Sequence, residues 1–401
     1  MSREELAIDG GKPVRKDFLS YGRQWIDDQD VRRVVDVLKG DWLTTGPTVA
    51  EFEKSFAAHS GAAEAVAVAN GTAALHLAMM AADLKELDEV LTTPMTFAAT
   101  ANSILYVGAR PVFVDVEPGT LNIDPSKIER AITPRTKGVA PVHFAGGPIR
   151  REEIYEIARR RGLFVIEDAA HALGATYKGA RIGAGALMTT FSFHPVKHIT
   201  TGEGGMITAD DRKLAERLRR LRNHGMNADA RARFGPEGGW LYEIDELGYN
   251  YRLTDIGCAL GISQLARLDE FVERRRLIAG RYMDELAGLP LSFLRESPGA
   301  ESSWHLFPVL LDLAALGVGR GRVFAALRAE GIGVNVHYMP VHYHPVYARL
   351  GYRKGICPVA EAAYERLLSA PIFPMMTDED QSDVIEAFRK VLGHYSKGAA
   401  R

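Results

Sequence analysis

Lys197 is the residue whose setting most invites chemistry. It lies in MTTFSFHPVKHITTGEGGM (188–206), where a β-type run from Thr189 to Phe193 delivers Ser192 and then the lysine. The glycine-rich segment Gly202-Glu203-Gly204-Gly205 follows. A lysine that leaves a buried-looking strand, not an exposed helix face, suits phosphate binding or carbonyl chemistry through a Schiff base. The plain alternative is a solvated lysine, and the rest of the chain decides between them.

Three other stretches bear on that choice. After the apolar run AVAVA (65–69) come Asn70, Gly71 and Thr72, then a helical pattern. Glycine and threonine at a helix N-terminus offer backbone N–H groups, a hydroxyl and the positive end of the dipole, which together form a phosphate cup. Taken alone, an ordinary helix cap explains them as well. After LFVIED (163–168), Asp168 ends an apolar strand, and His171 follows three residues later. A carboxylate there is costly unless it meets a cation or donors. A protonated pyridine nitrogen is such a partner, although capping of the next helix is the bland reading. After EVLTT (89–93), Phe97 offers a stacking face or simple packing, and Ser192 offers a second hydroxyl to a phosphate. Phosphate cup, pyridinium partner, stacking face and Schiff-base lysine, in order along one sheet, describe a pyridoxal phosphate enzyme.

The elements that must position these residues are legible as periodicity. Apolar runs recur at 65–69, 89–93, 111–116, 138–144, 163–168, around Phe191 and at 205–208. The first five lie about 22–27 residues apart, the length of a strand-helix-strand unit. Helical patterns fill the gaps, so a mostly parallel seven-stranded sheet covered on both faces is expected, an α/β fold. Ligands of such sheets bind outside the carboxyl ends of the strands, where the residues above fall. Beyond it, DRKLAERLRRLRNHG predicts a basic amphipathic helix ending near Gly225, 226–246 an irregular excursion, and 254–287 one long helical region. The remainder predicts a smaller α/β domain with strands WHLFPVLL (304–311) and VNVHY (334–338). The expected division is a large cofactor-binding domain, 20–253, and a small C-terminal domain, 254–401, with 1–19 packed against the latter.

Composition narrows the function classes. With 401 residues the chain has room for a large and a smaller domain, and a formal net charge of -2 gives no reason to expect nucleic acid or an anionic membrane. Cys258 and Cys357 stand far apart without CxxC pairing, so reduced buried thiols are expected and no metal site. The start, MSREELAIDGGKPVRK, lacks an apolar signal core, and no apolar run is long enough to span a bilayer, so a cytoplasmic protein is expected. The first strand-helix turn reads NGTAAL, not GxGxxG, which argues against a dinucleotide oxidoreductase.

With those residues in view, the chain resembles the DegT-type sugar aminotransferases, fold-type I pyridoxal phosphate enzymes acting on nucleotide-linked keto-sugars. The resemblance runs through NGTAALHLA, TTPMTFAATANSI, PVFVDVEPGTLNIDP, VIEDAAHALGA, FSFHPVKHITTGEGGM, RNHGM and GYNYRLTDI. It implies that Lys197 forms the Schiff base, Asp168 pairs with the pyridine nitrogen, His171 lies near the ring hydroxyl and Phe97 stacks on the ring. Gly71, Thr72 and Ser192 would hold the phosphate, and Asn250 would reach the cofactor phosphate of a neighbouring subunit, making a homodimer with shared sites. His337 and Tyr338 are assigned to the sugar site. The SFHPVK form and VNVHYMPVHYHPVY look most like enzymes that aminate carbon 4 of a UDP-linked 4-keto-6-deoxy sugar in the pseudaminic acid and aminoarabinose pathways, with L-glutamate as donor. Two alternatives stay open: a sugar dehydratase, although those relatives carry histidine in place of the lysine, and a non-catalytic regulatory protein.

Overall fold

The computed structural model describes residues 5–227 and 242–396. All seven apolar runs enter one sheet, as β1 (Glu64–Val68), β2 (Glu89–Thr92), β3 (Arg110–Phe113), β4 (Thr136–Ala140), β5 (Phe164–Asp168), β6 (Met188–Ser192) and β7 (Gly205–Ala209). Their order across the sheet is β1-β7-β6-β5-β4-β2-β3. Strand β7 alone runs antiparallel to its neighbours. The other paired strands are parallel, so one edge of the sheet collects the carboxyl ends of six strands.

Alternation along the strands divides the core. The helices α1 (Asp28–Leu38) and α2 (Pro47–Ser60) come first in the chain, and α3 (Gly71–Ala81) follows β1. Ala65, Ala67, Phe191 and Met206 pack with Phe52 and Phe56 of α2. Val66, Val68 and Ile207 point the other way, onto Ala74, Leu77 and Ala78 of α3. A period of two thus buries both faces, and each large aliphatic chain so buried contributes about 1.5–3 kcal/mol. The helix ends follow local chemistry: Asp27 and Asp30 form a capping box on α1, and α2 stops at Gly61, whose φ of 75° suits glycine.

Further along come α4 (Ala98–Tyr106), α5 (Pro125–Ala131), α6 (Arg151–Arg161) and α7 (Arg212–Leu221). The expected excursion at 226–246 is pinned at its ends, where Met226–Asn227 pair with Glu243–Ile244; residues 228–241 of it lie outside the described residues, as do 1–4 and 397–401. The long helical region expected over 254–287 consists of two helices, α8 (Asp255–Ala266) and α9 (Leu268–Glu285). Arg267 between them leaves helical geometry (φ -105°, ψ 3°), and its guanidinium reaches Asp27 and rests 4.6 Å over the Trp25 ring.

A second, antiparallel sheet has the order β8 (Leu291–Phe293), β9 (Phe307–Leu311), β10 (Leu367–Ala370). Two expectations need correction here. The strand begins at Phe307, not Trp304, and VNVHY is no strand. Its Asn335 makes one isolated bridge to Ser369 of β10, after which His337 and Tyr338 turn toward the main sheet. Helices α10 (Arg320–Ala329) and α11 (Asp378–Tyr395) pack on this sheet, with Leu6 and Leu19 in the same core. The N–H groups of Ala7 and Val14 donate to the Glu330 carboxylate at 2.9 and 3.0 Å. No helix among the described residues is long and apolar enough to cross a membrane.

Candidate active site

Nine of the ten residues singled out from the sequence line one cavity of about 850 Å³ at the carboxyl edge of the sheet: Gly71, Thr72, Phe97, Asp168, His171, Ser192, Lys197, His337 and Tyr338. The tenth, Asn250, is exposed and outside it; its backbone bridges Asn223.

The lysine is presented by a closed loop. Phe193 N–H donates to Gly204 O at 2.8 Å, and Thr201 N–H donates to Phe193 O at 3.1 Å, so both ends of 193–204 are tied at one residue. Phe193 is anchored in turn against Phe52 and Phe56, at 5.4 and 5.5 Å between rings. Lys197 makes no ion pair with any described residue. Burial pulls its amine down to about 8, against the opposing attraction of the Asp168 carboxylate. At pH 7.5 an amine titrating near 8 is about one quarter neutral, whereas one at 10.5 is about 0.1 % neutral. Arylation of apo-protein Lys197 by trinitrobenzenesulfonate, read by peptide mapping, is therefore expected to rise with pH through a midpoint near 8. A midpoint near 10.5 would mean an amine that water still reaches freely.

Asp168 ends β5 and is 5 % exposed. Its Oδ2 accepts from Thr100 Oγ1 at 2.6 Å and its Oδ1 from Ala170 N–H at 3.1 Å. Its own N–H donates to Pro141 O, and its carbonyl accepts from His143 N–H. The carboxylate is thus held by two donors, and the strand end that carries it by two backbone bonds to 141–143. Thr100 escaped the sequence reading; the only trace was the i, i+4 threonine pair with Thr96, whose hydroxyls meet at 2.8 Å.

Gly71 and Thr72 open α3 behind the Asn70 cap, whose Oδ1 accepts from Ala73 N–H at 2.8 Å. A Cβ on Gly71 would stand 2.8 Å from Ser192 Cβ, so only glycine lets the helix terminus and the serine share one concave cradle. A phosphate fits that cradle on chemistry: free helix-terminal N–H groups and two hydroxyls. The wider cavity fits an aromatic cofactor with a sugar beside it, 850 Å³ being near the upper end for ligand sites. Phe97, 61 % exposed at the head of α4, lies 6.1 Å from the Tyr338 ring.

Four buried histidines, His171, His198, His305 and His337, surround the lysine electrostatically, and burial holds each of them below the usual imidazole range. His171 Nε2 meets Tyr338 Oη at 3.0 Å, and His337 Nδ1 meets Ser369 Oγ at 2.9 Å. His305 and Tyr21, which also line the cavity, were not marked in the sequence; His305 was hidden inside an apolar run read as strand.

Comparison with known proteins agrees with this geometry. Residues 24–389 match the DegT/DnrJ/EryC1/StrS aminotransferase family. The chain is 45% identical over 383 residues to the spore coat polysaccharide biosynthesis protein SpsC of Bacillus subtilis, covering 94% of this chain and 98% of that one. Among solved structures it is similar to the putative sugar aminotransferase Spr1654 of Streptococcus pneumoniae in its PMP form (32% identity, TM-score 0.90, 94% and 100% of the two chains). It is also similar to PseC of Helicobacter pylori, an aminotransferase of pseudoaminic acid biosynthesis (29% identity, TM-score 0.88, 95% and 100%).

Proposed function

The chain belongs to the DegT/DnrJ/EryC1/StrS aminotransferase family and is a pyridoxal phosphate-dependent sugar aminotransferase, and on that premise we propose its substrates. It moves an amino group from L-glutamate to carbon 4 of a UDP-linked 4-keto-6-deoxy sugar, for glycan biosynthesis in the cytoplasm. The observation that carries the reading is one cavity lined together by Lys197, Asp168, Gly71, Thr72 and Ser192.

When bound, pyridoxal phosphate supplies an electron sink and a carrier for the amino group. The chain's own residues do the rest. Gly71, Thr72 and Ser192 hold the phosphate through N–H and hydroxyl donors. Asp168, kept in place by Thr100, would hold a positive charge on the ring nitrogen. Lys197 anchors the cofactor and then serves as the base that takes and returns a proton, a task its lowered pKa suits. Phe97 would offer a stacking face to the ring and His171 a hydrogen bond near its hydroxyl, and His337 and Tyr338 would meet the sugar.

The same proposal makes the protein a homodimer. Asn250 has no role in its own cavity, and a partner subunit's cofactor phosphate is its assigned target. In support, Trp42, Leu43, Ile244 and Leu247 are large exposed apolar chains on segments tied to this region, Thr44 bridging Thr254 as Asn223 bridges Asn250.

The visible spectrum of the holoenzyme tests the reading. L-glutamate is expected to bleach the visible absorption band of the Schiff base between the cofactor and Lys197. A UDP-4-keto-6-deoxy-hexosamine is expected to restore it. A band that persists in glutamate would sink the donor assignment, and one restored only by a 3-keto sugar would move the reaction to another carbon.

A further inference from the structure

A buried guanidinium stands directly behind this cavity. Arg275, on α9, is fully buried and pairs with no carboxylate among the described residues. Its Nη1 instead donates to three carbonyls, Trp304 O at 3.3 Å, His305 O at 3.2 Å and Ile372 O at 2.9 Å. Its Nε and Nη2 find no partner. A charge sealed in protein without a counter-ion is costly, and an apolar side chain of similar volume would serve stability better. Its presence here calls for a reason beyond packing.

The three carbonyls show what it holds. Trp304 has a φ of 46°, a left-handed conformation unusual for so bulky a residue. Around it, Ser303 N–H donates to Gly146 O at 3.2 Å, Leu306 N–H to Ala145 O at 3.2 Å, and His198 Nε2 meets Ser303 O at 3.1 Å. Gly146 has no room for a side chain, because a Cβ there would stand 2.8 Å from Trp304 N. This tight turn brings His305 off the end of β9 and into the cavity wall, its ring centroid 4.5 Å from that of His171. Nδ1 of His305 is sealed in protein without a partner, which leaves Nε2 as the ring nitrogen a ligand can reach.

We propose that His305 is a further substrate-contacting residue of this site, donating or accepting a hydrogen bond at a substrate oxygen through Nε2, and that Arg275 is its positioning residue. The inference rests on the cavity being the site of amino transfer. Burial, then Lys197, His171, His198 and Arg275, hold His305 well below the usual imidazole range, so it meets that oxygen as a neutral ring.

The test measures each half-reaction separately in the holoenzyme, glutamate bleaching the chromophore and keto-sugar restoring it. Variants are H305Q, R275M, R275Q and R275K, with cofactor affinity and Tm recorded for each. H305Q is expected to raise the half-saturating concentration of one of the two substrates by at least about tenfold, the scale of a lost buried hydrogen bond, and to leave cofactor affinity within about twofold. R275M and R275Q are expected to impair the same substrate, and R275K to recover most of the loss. R275Q keeps a donor for one carbonyl, so a folded variant is at hand should R275M not accumulate. Unchanged half-reactions in H305Q would overturn the contact. A lowered Tm with both half-reactions intact in the Arg275 variants would make that arginine a packing residue only. A wild-type enzyme that neither bleaches nor recovers would instead strike the parent reading.

Discussion

Replacing Lys197 by alanine is expected to lower amino transfer by at least about 10⁴-fold, because in the proposed mechanism one side chain supplies both the covalent anchor and the proton-transferring base. Among the described residues no second lysine lines the cavity. His171, His198, His305 and His337 cluster near the amine, but an imidazole cannot form the Schiff base, burial makes each a weaker base than usual, and three engage Tyr338, Ser303 and Ser369. The fold should survive, since Lys197 forms no ion pair and its loop is tied by backbone bonds at Phe193 and by the phenylalanines beneath it. Circular dichroism and Tm should therefore match the wild type while the coupled rate vanishes and the chromophore band is lost. Residual turnover above about 1 % would mean that another group takes the proton.

Asp168→Asn should separate electrostatics from shape. Asparagine is isosteric, and Thr100 can still bond to it, so stability should change by no more than about 1 kcal/mol. The negative charge that keeps a ring nitrogen protonated is gone, and a drop of about 10³-fold in kcat is expected, roughly 4 kcal/mol of barrier. Cofactor binding, shared with Gly71, Thr72 and Ser192, should weaken far less. Stopped-flow measurement of the glutamate half-reaction checks the first number and equilibrium titration of the apo-protein the second. A loss under tenfold would remove Asp168 from the ring nitrogen.

The large sheet was legible because each of its strands is a near-continuous apolar run bounded by helical spacing, and because chemistry gathers just past carboxyl ends. Asp168, Ser192 and Lys197 were found by that rule, as were Gly71 and Thr72. The rule fails where a segment leaves a sheet to line a cavity. VNVHY has strand composition, yet after Asn335 its side chains serve the cavity, and no local pattern reports a contact to His171. Trp304 and His305 sit in an apolar run that is strand only from Phe307. Thr100 is one more buried threonine to any periodicity, and its importance lies in an oxygen 68 positions away.

The joining of Tyr338 to His171 spans 167 positions of chain, and Tyr21 approaches His337 from the far N-terminal side at 5.2 Å between rings. Such separations tie the site to the slowest events of folding, the closure of its longest loops. On the ribosome, the strand that ends at Asp168 and the loop that carries Lys197 emerge well before His305, His337 and Tyr338 of the opposite wall. The burial that lowers the Lys197 amine is therefore a property of the finished chain and not of the first sheet by itself. The cavity is complete only once the segment that leads into the second sheet has come to lie over the first.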